Sequence, residues 1–170
     1  RYPSWISARN LENQIDDAMV EALVRAVTGR YDLVARYYRL KRRLLGLKEL
    51  ADYDRYAPLP AAQRSYDWQR ARDLVLEAYR SFHPRMGEIA SLFFERRWID
   101  AEVRQGKRGG AFCASPTPAL HPYVLCNYTD NLRDVMTVAH ELGHGLHGWL
   151  ARKQTLFNYD TPLTTAETAS

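Results

Sequence analysis

Apolar positions recur at helical spacing through most of the first hundred residues. In DDAMVEALVRAVT (16–28), Met19, Val20, Leu23, Val24 and Val27 share one face of a helix. Acidic residues open that helix and Gly29 closes it. A second stripe, Leu33, Tyr37, Leu40 and Leu44, predicts a helix from Tyr31 to Leu45 with arginines opposite, stopped at Gly46. ADYDRYAPLPAAQ (51–63) reads as a polar, proline-bearing loop. Ser65 is placed to cap a third helix whose stripe is Trp68, Ala71, Val75, Ala78 and Phe82. Pro84 suits the first position of a fourth helix, running to about Asp100. None of these four patterns carries chemistry of its own; they predict a scaffold.

The helical period vanishes at GKRGGAFCASPTPALHPYVLCNY (106–128). Gly109 and Gly110 precede the short run AFCAS, and PYVLCNY has strand composition, so two short antiparallel strands joined by a proline-rich loop are expected. GKRGG is not a phosphate-binding loop, since it lacks both the upstream glycine and a Ser or Thr after the lysine. Helical spacing returns in NLRDVMTVAHELGHGLHGWLARK, where Asn131 and Asp134 mark the start of a helix reaching about residue 152. Its apolar contacts are Leu132, Val135, Met136, Ala139, Leu142, Leu146 and Leu150.

Three glycines, Gly143, Gly145 and Gly148, interrupt that helix, each at a cost of about 1 kcal/mol relative to alanine. They accompany three histidines, and so concentrated a departure from local propensity marks a site. His140 and His144 are one turn plus about 40° apart, with about 6 Å of rise, so both imidazoles can reach one ion. Glu141 sits about 100° around the helix, where it can face water rather than the ion. This is the HExxH arrangement, in which zinc polarises a carbonyl and acidifies water while the glutamate moves the proton. His147 lies too far along the axis to join both histidines and is expected near the site or in the core. Leu150 stands where the extended HExxHxxGxxH motif requires histidine, so that class is excluded.

A catalytic zinc takes a third protein ligand and keeps a position open. Two carboxylates follow the motif. Asp160, in NYDTP, has the surroundings of a turn former. Glu167, in TTAETAS, is either that ligand or the closing residue of a capping box with Thr164.

Composition changes little in this picture. The chain has 170 residues, 46% hydrophobic and 26% charged, with a formal net charge of +4, as expected of an ordinary soluble domain. The basic cluster Arg36, Arg39, Lys41, Arg42 and Arg43 is interspersed along a helix and reads as a solvated face, so no nucleic-acid partner is expected. No apolar run is long enough to span a membrane, and no signal peptide is visible. Two cysteines, Cys113 and Cys126, make no disulfide framework, which favours the cytoplasm.

GKRGGAF, PYVLCNY, DVMTVAHELGHGLH and ETAS, in this order and spacing, resemble the oligoendopeptidase F branch of the thimet-oligopeptidase-like metallopeptidases. YPSW, RYYRLKRRLLGL and ERRWID resemble that family's middle region, so the likeness covers essentially the whole chain. The resemblance implies a mainly α fold with a small antiparallel β element, part of a gluzincin-type catalytic domain cleaving short peptides. It implies one zinc ion held by His140, His144 and Glu167, with Glu141 as general base. Gly109, Gly110, Ala111, Phe112 and Tyr123 would line the substrate cleft. The expected division is a helical scaffold over 1–104 and a zinc-binding portion over 105–170, within one continuous domain truncated at both ends. Family members are several times longer, and the tyrosine and histidine that stabilise their oxyanion lie beyond the ETAS segment. The resemblance therefore implies zinc capacity and little turnover for these 170 residues alone. The competing expectation is a helical peptide-binding or interaction module whose zinc is structural or absent.

Overall fold

The structure is a computed structural model that describes residues 1–59 and 64–170. The chain divides into two compact units, Arg1–Gln63 and Arg64–Ser170. The division at residues 104 and 105 drawn from the sequence falls within the second unit.

The first unit is helical: α1 (Ser7–Glu12), α2 (Asp17–Thr28), α3 (Tyr31–Leu44) and a 3₁₀ turn, Asp52–Tyr56. The Asp16 carboxylate caps α2 by accepting from the Met19 N–H, and Gly29 ends the helix. Gly46, with φ of +68°, ends the turn after α3 in a conformation glycine adopts without strain. The 3₁₀ turn replaces part of the expected loop; Pro60–Gln63 of that loop lie outside the described residues. The apolar stripes of α2 and α3 form as expected but stay largely exposed, Met19, Leu23, Tyr37 and Leu44 among them.

The second unit begins with α4 (Trp68–Phe82) and α5 (Pro84–Glu95), an antiparallel pair. Asp67, not Ser65, caps α4, its carboxylate accepting from the Arg70 N–H at 2.7 Å. The buried face of α4 is Ala71, Val75 and Leu76; Ala78 and Phe82, expected on it, are exposed. Pro84 starts α5 as its fixed φ favours. That helix stops at Glu95 rather than near Asp100, because Arg97 takes a φ of +57° and Ile99–Asp100 become a strand, β1.

β2 (Phe112–Ala114) and β3 (Tyr123–Leu125) pair antiparallel, with Cys113 opposite Val124. β1 pairs parallel with β3, Ile99 opposite Val124, so the sheet is mixed, in the order β1-β3-β2. The fold is mainly helical, as expected, with one parallel strand that sequence patterning did not predict. Helix α6 (Leu132–Ala151) lies against β2, β3, α4 and α5. Its buried face, Val135, Val138, Leu142 and Leu146, joins Ile89, Phe93, Val124 and Cys126 in the core. Leu132, Met136 and Leu150, expected to pack, are exposed. After α6 come a 3₁₀ turn (Leu156–Asn158), the short helix α7 (Leu163–Ala166) and a final 3₁₀ turn, Glu167–Ala169. Among the described residues no helix is long and apolar enough to cross a membrane.

Candidate metal centre

Helix α6 carries most of the site, and its placement follows from its own sequence. The Asn131 side chain accepts from the Asp134 N–H at 3.0 Å, fixing the first turn. The Asp134 carboxylate accepts in turn from the Thr129 N–H and hydroxyl. Near the motif, the Tyr79 hydroxyl of α4 donates to the Ala139 carbonyl at 2.7 Å, one residue before His140. Burial pushes that phenol up to about 12, which keeps it a donor.

Glycines bring the helix close to its neighbours. A Cβ on Gly145 would sit 2.8 Å from two ring carbons of Phe93, and one on Gly148 would collide with the Ser115 side chain. Both residues are there because no larger one fits between α6 and what packs on it.

His140 and His144 project from one side of α6, their rings 4.8 Å apart and nearly perpendicular. Glu167 reaches them from the last 3₁₀ turn, with Oε2 3.6 Å from His140 Nε2 and Oε1 3.7 Å from His144 Nε2. These are too long for hydrogen bonds. They come near the edge of a tetrahedron about a metal, about 3.4 Å for zinc with nitrogen and oxygen ligands. Among the described residues these three form the one cluster able to hold an ion, each offering a ligand atom within 4.8 Å of the others. The donor set, two imidazoles and one carboxylate, is chemically suited to zinc. Thr164 lies inside α7, which is preceded by Pro162, so the T-x-x-E pattern does not mark a helix start.

Glu141 points elsewhere, as its position on the helix requires. It is 7% exposed, and the backbone of Cys113 lies beside its carboxylate. Burial raises its pKa above the ordinary 4.5, opposed by the neighbouring His140 and His144. The same surroundings hold the Cys113 thiol up at about 12, mainly through burial and then through the charge of Glu141. Cys113 belongs to β2, one of the two edge strands of the sheet, so β2 and the carboxylate adjoin.

The remaining sequence candidates fall in separate places. Gly109 and Gly110 form the turn into β2, Gly110 with φ of +81°, and Ala111 packs on the core. Strand alternation puts Phe112 and Tyr123 on the sheet face opposite Cys113 and Val124, away from α6. Both are partly exposed; Arg108 lies over the Phe112 ring and His121 lies against Tyr123. His147 is outside the three-residue cluster and lines, with His144, Ser115 and Asp160, a cleft of about 260 Å³. Asp160 accepts from the Thr161 N–H.

Sequence reasoning missed two residues around the site. The Lys107 side chain is buried and bonded to four oxygens, and Asn127 holds two carbonyls of the glycine turn. The lysine stood in GKRGG, where only a phosphate role was weighed, and the asparagine had no pattern around it.

A profile of peptidase family M3 matches residues 1–170. Oligopeptidase PepF of Bacillus subtilis is 30% identical over 172 residues, covering all of this chain and 26% of the relative. Group B oligopeptidase PepB of Streptococcus agalactiae is 33% identical over 159 residues, covering 93% of this chain and 26% of the relative. The solved structure of PZ peptidase A with an inhibitor superposes with a TM-score of 0.82 at 19% identity, over 98% of this chain and 31% of that one, which establishes likeness of fold. The chain thus spans about a quarter of the length of the curated relatives it matches.

Proposed function

The chain belongs to peptidase family M3, and we propose that it forms the zinc-binding part of an endopeptidase acting on short peptides. The observation that carries this reading is the convergence of His140, His144 and Glu167 at tetrahedral-edge distances, with Glu141 beside them but turned to the strand edge.

His140, His144 and Glu167 would hold one zinc ion, three ligands being the number that leaves a position open, where a structural zinc takes four. When bound, such an ion acts as a Lewis acid, acidifying water and polarising the scissile carbonyl. Glu141 accepts a proton from the attacking water as its oxygen bonds to the carbonyl carbon. The carboxylate then delivers that proton to the amide nitrogen as the C–N bond breaks. Burial makes this carboxylate a stronger base than one in water, which suits the exchange near neutral pH.

The peptide is aligned by β2. A strand at the edge of a sheet offers N–H and C=O groups to an extended chain, and the edge of β2 is the one that adjoins Glu141. A peptide added there sends alternate side chains to the two sheet faces. Gly109, Gly110 and Ala111 allow close backbone approach, and Phe112 and Tyr123 serve the side chains on the face away from α6. The cytoplasm, where Cys113 and Cys126 stay reduced, is the compartment consistent with this activity.

The test is cleavage of a short quenched-fluorescent peptide by the full-length protein, with and without chelator. Zinc-dependent cleavage that disappears in Glu141→Gln supports the reading; cleavage surviving that substitution at the parent rate removes it.

A further inference from the structure

The turn that delivers the chain into β2 is gripped from two sides. The Lys107 side chain is 2% exposed, and its Nζ donates to the Asp100 carbonyl and carboxylate at 3.0 Å each, the Glu102 carbonyl at 2.8 Å and the Cys126 carbonyl at 2.7 Å. An ammonium has three protons, so this shell saturates it. The lysine thereby ties the turn to the ends of β1 and β3. From the other side, the Asn127 amide donates to the Arg108 and Gly110 carbonyls, both at 3.0 Å. Gly106 and Gly110, with φ of +78° and +81°, let the backbone curl between these two holds.

Directly beyond Gly110 lie Ala111 and the three residues of β2. A strand that short has few ladder bonds to fix it, yet its edge must be ready for a peptide. Asn127 is half-buried, and water could satisfy the two carbonyls it holds, so its bonds add little to global stability. Their effect is to fix where the strand begins. We infer that Lys107 and Asn127 are positioning residues that pre-set the β2 edge for substrate, acting on peptide binding more than on bond cleavage. This rests on the peptidase reading and adds to it the residues that determine affinity for the peptide backbone.

Asn127→Ala and Asn127→Asp in the full-length protein decide the matter. Aspartate keeps the shape of asparagine but, ionised, has no N–H to donate, so it should not rescue. Both variants are expected to keep zinc content and unfolding temperature, to raise KM for a short quenched-fluorescent peptide about tenfold, and to leave kcat within about twofold. Amide hydrogen exchange at residues 111–114 should quicken in both. Normal KM in either variant, a fall confined to kcat, or unchanged exchange at 111–114 would overturn the inference. A parent protein that cleaves no peptide removes the peptidase reading instead, and the exchange measurement still decides whether Asn127 holds the strand.

Discussion

Gly145 of α6 lies directly against the ring of Phe93 of α5, so close that a methyl group at position 145 would stand 2.8 Å from two ring carbons. Phe93 is fully buried. Gly145→Ala would gain about 1 kcal/mol in helix propensity and lose more to the clash. The expected result is a net loss of about 1–2 kcal/mol in chemical unfolding, accompanied by weaker zinc retention as α6 shifts. Phe93→Leu in the same background should recover part of the stability, which separates a packing effect from a backbone one.

Glu167 approaches His140 and His144 from a segment with few other ties to α6, so an ion bound there would join the two. Zinc at about a hundredfold its Kd should stabilise the folded chain by about 2.7 kcal/mol, and a chelator should remove that increment. Glu167→Ala should abolish the zinc-dependent part while leaving the unfolding of the metal-free chain nearly unchanged. Differential scanning fluorimetry with and without zinc reads both.

Asp100 receives the Arg104 guanidinium through two bonds, at 2.6 and 2.7 Å, and the Lys107 ammonium at 3.0 Å. The hydrogen bonds from Arg104 first, then those from Lys107, hold its carboxyl well below the ordinary 3.8. A carboxylate whose pKa is lowered on folding stabilises the fold fully above its unfolded value and loses that contribution as pH falls towards the folded one. The acid limb of the stability curve below about pH 4 should therefore flatten in Asp100→Asn. The carboxylate is partly exposed, so screening keeps the effect at about 1 kcal/mol or less. Urea titrations at a series of acidic pH values would show it.

Glu141→Gln keeps the shape of the side chain and removes its basicity. Full zinc binding with a fall in kcat of about 10²–10⁴ is expected for the full-length protein. Loss of zinc together with activity would assign Glu141 a ligand role instead.

How much of this could be read in the sequence varied with how local the cause was. Asp16, Asn131 and Pro84 announce their helix ends because the stabilising contact is made within one turn. The pairing of His140 with His144 was legible for the same reason, being fixed by helical rise alone. Ile99–Asp100 were misread as helix because a two-residue strand has no period and exists only through its pairing with β3. Phe82 and Met136 carry the right spacing and are nonetheless exposed, since periodicity defines a face without saying what covers it. Residue spacing alone left Glu167 between two roles, because its approach to the histidines spans more than twenty residues and is made only in the fold. Lys107 was overlooked because its four partner oxygens come from two stretches of chain, residues 100–102 and Cys126.

The central claim is that two imidazoles and one carboxylate take a single divalent ion. Crystals of the chain grown with zinc, measured on both sides of the zinc absorption edge, test it most directly. The account predicts one strong anomalous peak about 2.1 Å from His140 Nε2, His144 Nε2 and a Glu167 carboxylate oxygen. A peak bound elsewhere, or a Glu167 side chain turned away from a zinc held by the two histidines, would contradict it.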